Sequence, residues 1–233
     1  MNPYESPALL RQYLDFHYKG DQPDYLPLHP LPEGVLGYPQ RCAALLTSHA
    51  QRRGRALDLG CAVGGSSFAL SRDFDAVTGV DASAAFIETA TKVAENGVFR
   101  DTEDAWVPVS AARKSRVCFS QGDACALDAG LGVFDAVLMA NLLCRLPDPA
   151  ACLAGLRAHV APGSVIAIMT PCSWDVAYTP REKWLWPTLA GIADVLGGWC
   201  ALVETREMPF VIREHTRKAQ FTVAEASVWR VCG

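Results

Sequence analysis

The sequence predicts a doubly wound α/β fold: a seven-stranded, mostly parallel sheet closed by a C-terminal antiparallel hairpin, with a helical cover at the N-terminus. Three observations predict it. From Arg55 onward, short apolar runs with strand character alternate with runs of helical period. One strand-to-helix junction, "ALDLGCAVGGSSFAL", carries Gly60, Gly64 and Gly65, a concentration that suits close approach of backbone to a ligand. The C-terminal stretch drops the alternation for two long β-patterned runs around the polar turn "HTRK".

The elements follow in order. "SPALLRQYLDFHY" places Leu9, Leu10, Tyr13, Leu14 and His17 near one helical face. "GDQPDYLPLHPLPEGVLGYPQ" holds five prolines and predicts an irregular loop. "RCAALLTSHA" predicts a second helix. "RALDLG" is a short buried strand, "SSFALSRD" a helix and "AVTGVD" a second strand. "SAAFIETATKVAEN" is a helix that Ser83 caps. The polar stretch "GVFRDTEDAWVPVSAARKS" interrupts the alternation. "RVCFSQGD" and "FDAVLMAN" are the third and fourth strands, "PAACLAGLRAHVA" a helix and "PGSVIAIMTP" a turn and fifth strand. A longer helix is expected over roughly Pro180 to Leu196. "CALVETREMPFVIRE" and "AQFTVAEASVWRV" form the hairpin. The 233 residues suit a single α/β domain, with 1–50 as cover and loop and 55–233 as the core.

Composition excludes several classes. A net charge of −4, with half the residues apolar and a fifth charged, argues against a nucleic-acid-binding surface. No long uncharged apolar run predicts a membrane span. "MNPYESPALLRQYLDFHY" lacks the basic start and apolar centre of a secretory signal. The nine cysteines are odd in number, contain no CxxC pair and have no zinc-ligand spacing. A reduced, cytoplasmic protein without structural metal is the expectation.

The glycine-rich junction has two readings. Gly60, Gly64 and Gly65 give G-x-x-x-G-G, with Ala62 where a dinucleotide fingerprint has its middle glycine. "LDLGCAVGG" instead resembles the first motif of the Rossmann-like S-adenosylmethionine-dependent methyltransferases, which tolerate alanine there. The resemblance implies that Gly60, Cys61, Ala62 and Gly64 accommodate the methionine portion of the cofactor while Asp58 attracts its ammonium group. Asp81, with Ala82 after it, ends the second strand at the distance expected of a carboxylate that grips ribose hydroxyls. In "QGDA", Asp123 and Ala124 stand where the family commonly contacts the adenine. Asn141 is the polar group where the fourth strand ends, and the resemblance implies that it faces the transferred methyl. Four features at successive strand ends converge on one crevice.

The flanks carry more. "NPYES" with "QYLDFHY", "MTPCSWDVAYTPREKWL", and above all "PFVIREHTRK…VAEASVW" resemble the methyltransferase of ovothiol biosynthesis, a mercaptohistidine N-methyltransferase, over nearly the whole chain. That domain also occurs fused behind sulfoxide synthases that attach cysteine sulfur to histidine. The resemblance implies N-methylation of the imidazole of 5-thiohistidine (4-mercaptohistidine) to give ovothiol A, with functional pairing to a sulfoxide synthase. The chemistry is in-line displacement, in which a ring lone pair is aligned with the carbon–sulfur bond and water is excluded. The ring proton passes either to a basic side chain or to water.

Candidate acceptor contacts come from the flanks. Tyr4 and Glu5 lie in the first motif; His17 and Tyr18 end the first helix, where a lone His beside apolar residues reads first as a satisfied core group. Tyr38 and Arg41 follow the proline-rich loop, with Arg41 a candidate partner for a substrate or cofactor carboxylate. Arg213 and His215, in a charge run at the hairpin turn, are candidates for the acceptor's amino-acid end, and that turn is expected to be longer than two residues or held by partners. Trp174, Trp184 and Trp186 read as core that seats the following helix, and Tyr178 as a site residue. The competing readings are a methyltransferase for another small amine, acid or thiol, a non-catalytic cofactor-binding partner of the sulfoxide synthase, and a nicotinamide-dependent dehydrogenase, whose glycine spacing is wrong.

Overall fold

The computed structural model describes residues 3–20, 22, 25, 31–101, 105–109 and 114–233. The predicted proline-rich loop falls partly outside these residues, as does Asn2 of the first motif. Helix α1 (Pro7–Tyr18) starts where Ser6 accepts a hydrogen bond from the Leu9 amide and Pro7 takes the first helical position. Helix α2 (Tyr38–His49) begins three residues earlier than the sequence predicts, with Pro39 in its first turn. The core then runs β1 (Arg55–Leu59), α3 (Gly65–Leu70), β2 (Ala76–Asp81) and α4 (Ala84–Asn96). Ser83 caps α4 as predicted, accepting from the Phe86 amide.

The polar stretch after α4 is not featureless. Strands β3 (Val98–Arg100) and β4 (Trp106–Pro108) pair antiparallel as a separate small ribbon. Strands β5 (Val117–Gln121) and β6 (Phe134–Ala140), helix α5 (Pro149–Gly155) and β7 (Val160–Thr170) complete the parallel part. The helix expected over Pro180 to Leu196 is instead a 3-10 turn (Arg181–Lys183) followed by α6 (Thr188–Leu196). Pro187 lacks an amide proton and cannot sit inside a helix, so α6 starts after it. Strands β8 (Cys200–His215) and β9 (Lys218–Val231) form the hairpin.

The main sheet has the order β5-β2-β1-β6-β7-β9-β8. Neighbours from β5 to β7 pair in parallel, and β9 runs antiparallel to both β7 and β8. Both faces of the central strands are buried, as a parallel sheet requires. Leu57, Val137 and Ile166 pack toward α5 and α6 on one face. Ala56, Leu138 and Ala167 pack toward α2 and α3 on the other.

The hairpin outgrows the sheet. Residue Glu225 of β9 pairs with Thr170, the last residue of β7, whereas the β9 residues before it pair only with β8. A two-stranded ribbon therefore projects beyond the carboxyl ends of the parallel strands. Its turn is only Thr216 and Arg217, so of the two expected forms it is the one held by partners. The Arg217 amide donates to His215 Nδ1 at 3.2 Å, and Glu214 accepts from Lys218 Nζ at 2.6 Å and Gln220 at 2.8 Å. These contacts brace a tight turn that contains neither Asn nor Gly.

Candidate active site

At the carboxyl edge of the sheet lies a crevice of about 250 Å³, the usual ligand position in a doubly wound fold. Asp58 on β1, Asp81 at the end of β2, Asp123 just after β5 and Asn141 just after β6 all line it. Gly60, Cys61, Ala62, Ala82, Ala124, Tyr4 and Tyr178 join them on the wall.

The turn after β1 is built by backbone geometry. Gly60 has φ +78°, and a Cβ there would meet the Leu142 side chain at 2.9 Å. The Gly60 and Cys61 amides both donate to the Val80 carbonyl, at 2.8 and 3.1 Å, so the turn is welded to β2. Ala62 also adopts a left-handed φ of 46°, and its amide donates to Asp81 Oδ2 at 2.9 Å. Asp81 Oδ1 accepts from the Ser83 amide at 2.9 Å. Gly64, with φ +89°, begins α3 just behind the wall; a Cβ on it would meet the Phe119 ring at 2.5 Å.

Asp58 is almost fully buried, and its Oδ2 accepts from Ser67 Oγ at 2.6 Å. Burial, reinforced by the nearby Asp81 charge and opposed by the Ser67 bond, pushes its carboxyl up to about 7. Burial raises Asp81 too, against the amides that it accepts. Such carboxylates are poised for a cationic group that neutralises them. A ligand with an ammonium, vicinal hydroxyls and a flat heterocycle matches this donor set, and the glycine turn leaves room for it.

Helix α1 roofs the turn. His17 is buried, and its Nδ1 accepts from the Gly65 amide at 3.0 Å. Burial pushes its imidazole down to about 3, so the ring is neutral. This is the satisfied core histidine that the sequence favours. The Tyr18 hydroxyl donates to the Val63 carbonyl. Gln40 of α2 donates to the His17 carbonyl at 3.1 Å, tying the two helices together.

The outer wall is aromatic. Tyr4 lies with ring centroids 6.0 Å from Tyr13, 5.8 Å from Phe86 and 6.4 Å from Tyr178. The Tyr4 carbonyl accepts from Ser83 Oγ at 3.3 Å, and Glu5 Oε2 from the Ala85 amide at 3.3 Å, which fastens the first motif to the start of α4. The Arg145 guanidinium sits 4.9 Å from the centre of the Tyr178 ring. Opposite, the Tyr38 hydroxyl donates to Asn141 Oδ1 at 2.9 Å, and Asn141 has a left-handed φ of 56°. Burial raises the phenols of Tyr4, Tyr13 and Tyr38 above their usual 10, so near neutrality they are donors and not bases.

Several expected residues lie elsewhere. Tyr18 and Gly64 stand behind the wall, in contact with the turn. Arg41 is not on the wall either: its guanidinium is spent on the carbonyls of Leu36, Val35 and Pro209, so it braces the proline-rich segment against β8. Arg213 is buried in an ion pair with Asp15 of α1 at 3.0 Å, and its amide donates to the Tyr25 hydroxyl at 3.0 Å. His215 is exposed at the ribbon tip. Neither of the two lines the crevice. Of the tryptophans, Trp174 and Trp184 stack at 6.3 Å, but Trp186 is 70% exposed and is not core. Sequence reasoning passed over Tyr13 and Arg145 as wall residues. The signal for Tyr13 is its place one turn before His17 on the same helical face.

Known proteins share this fold. The profile of the methyltransferase-domain family matches residues 36–219. No curated protein matches the chain in sequence. A structure concerned with conversion of a disulfide bond into a thioacetal group during echinomycin biosynthesis is similar, with TM-score 0.61, 19% identity, and coverage of 96% of this chain and 92% of that one. The CcbJ methyltransferase from Streptomyces caelestis has TM-score 0.59 and 17% identity over 92% of this chain and 98% of its own. The N-methyltransferase NodS from Bradyrhizobium japonicum has TM-score 0.56 and 14% identity over 83% and 94%. Among the described residues, no helix is long and apolar enough to cross a membrane. With 36–219 spanning most of its length, the chain belongs to the methyltransferase-domain family and is a methyl-transferring enzyme whose cofactor is S-adenosylmethionine.

Proposed function

We propose that the chain methylates the imidazole of 5-thiohistidine, at the ring nitrogen nearest the side chain, to give ovothiol A. The resemblance of both flanks to the ovothiol methyltransferases supports the acceptor. The observation that carries the reading is the aromatic wall of Tyr4, Tyr13 and Tyr178 with Arg145, which stands over the strand-end carboxylates. It suits a small, flat, polar acceptor and not a polymer.

When bound, S-adenosylmethionine supplies an activated methyl group on a sulfonium sulfur. Asp58 pairs with its ammonium, Asp81 takes the ribose hydroxyls, and Asp123 with Ala124 borders the adenine. Asn141, held through its Oδ1 by Tyr38, is the polar group that this reading sets beside the reacting atoms. Tyr4 and Tyr178 flank the imidazole and keep water away from it. Much of the barrier falls to this positioning, since the donor is already activated. Burial raises the Tyr4 phenol and His17 Nδ1 is occupied by the Gly65 amide, so neither takes the surplus ring proton, which passes to water or to another basic group of the crevice. Functional pairing with a sulfoxide synthase, which would supply the thiohistidine, belongs to the same reading.

The test is product analysis. The protein is incubated with methyl-labelled S-adenosylmethionine and either 5-thiohistidine or histidine, and the label is located by mass spectrometry and NMR. Label on the ring nitrogen of thiohistidine is expected, with histidine a poor acceptor. Label on sulfur or on the α-amine, or no transfer from a cofactor that binds, would overturn it.

A further inference from the structure

Of the described residues that line the crevice, Arg145 alone carries a positive charge, against Asp58, Asp81 and Asp123. It is half-buried and firmly anchored. Nη1 donates to the carbonyls of Cys144 at 3.0 Å and Ser173 at 2.8 Å. The guanidinium also packs on the Tyr178 ring, and the Tyr4 phenol shares its hydrogen-bonding cluster. One nitrogen is thus spent on backbone, while Nη2 meets Ser173 Oγ only at 3.5 Å. A guanidinium anchored through Ser173 on the wall of the crevice, with the Tyr4 phenol bonded beside it, offers an anionic group a charge-assisted partner there.

Its position separates it from the cofactor acids. Asp58 and Asp81 stand at the ends of β1 and β2, whereas Arg145 follows β6 and is pinned to the loop after β7 through Ser173. We propose that Arg145 reads the α-carboxylate of an amino-acid acceptor, with Tyr4 and Tyr178 bordering the same subsite. The inference rests on the thiohistidine reading for the identity of the ring, and adds that the enzyme selects the intact amino acid over its amine.

The experiment compares 5-thiohistidine with its decarboxylated analogue, 5-thiohistamine, in wild type, Arg145→Gln and Arg145→Lys. Steady-state kinetics is paired with calorimetric titration of S-adenosylmethionine. Wild type is expected to favour thiohistidine by about 10–100-fold in kcat/KM, the range of a charge-assisted pair. Arg145→Gln should erase that preference by losing thiohistidine alone, Arg145→Lys should restore part of it, and cofactor affinity should stay within about twofold. A purely structural staple would lower both acceptors equally and leave the ratio intact, which overturns the proposal. Loss of cofactor affinity in step with the acceptor overturns it too, since the carboxylate read would then be the cofactor's own. Wild type that methylates thiohistidine without regard to its carboxylate sinks this inference but not the proposed function. Wild type that leaves thiohistidine unmethylated sinks the function first.

Discussion

Replacing Arg213 with alanine tests whether this residue is structural. The sequence places it in a charge run at a hairpin turn, an attractive position for a substrate contact. In the fold its side chain is 5% exposed and Asp15, its partner 198 residues away, is 1% exposed, with 3.0 Å between them. Arg213 Nη1 also reaches the Tyr25 carbonyl at 3.4 Å. Truncation takes the Arg213 guanidinium away from a buried carboxylate, and breaking a buried pair from one side costs about 3–5 kcal/mol. For a chain of this size each kcal/mol moves the melting temperature by roughly 2–4 °C, so Arg213→Ala should melt about 6–20 °C lower. Differential scanning calorimetry or thermal denaturation by circular dichroism reads this directly. An apolar pair, Asp15→Leu with Arg213→Met, should recover most of the loss, because neither desolvated charge remains. An unchanged melting temperature with a raised KM for the acceptor would refute the argument and restore Arg213 to the substrate.

Three further outcomes follow from the crevice. Gly60→Ala forces a left-handed residue worth about 1–2 kcal/mol of strain and drives a methyl into Leu142; cofactor affinity measured by calorimetry should fall roughly tenfold or more. Asp58 keeps its proton up to about pH 7 in the ligand-free fold against 3.8 ordinarily, so its contribution is full below 3.8 and is lost as pH rises through 7. Asp58→Asn should therefore stabilise the ligand-free protein above pH 7 in urea melts while weakening the cofactor by about 10–100-fold; unchanged affinity would remove Asp58 from the ammonium site. His17 has the opposite sign: its imidazole is held at about 3 against the usual 6.5, so the unfolded chain takes the extra proton between those values. Stability should fall as pH drops from 6.5 toward 3, and His17→Gln should flatten that slope in denaturant titrations across the window.

The strand-end residues were legible because their signals are local. Asp58, Asp81, Asp123 and Asn141 each close an apolar run, and alternating elements bring such ends to one edge. Ser83 was legible as a cap for the same reason. What the sequence hid depends on distant partners. Arg41 looks like a free cation until the Pro209 carbonyl, 168 residues on, arrives beside it. Arg213 looks solvated until α1 supplies Asp15. Tyr13 and Tyr38 lie on amphipathic helices, and periodicity gives the buried face without saying whether a core or a cavity lies beneath it. The β3–β4 ribbon was hidden because its strands are short and polar at the flanks.

The projecting hairpin has a consequence for the order in which the enzyme comes into being. The chain emits the crevice carboxylates first: all three precede residue 124, and β6 follows soon after. One mooring of the roof comes much later. Helix α1 is among the earliest segments synthesised, yet Asp15 and Phe16 acquire Arg213 and Phe210 as neighbours only when the ribbon emerges. Contacts of such long sequence separation form slowly. On the ribosome the first helix can thus dock on α2 and α3 through His17 and Gln40 before the ribbon emerges, and the last strands add the Asp15–Arg213 pair to that roof.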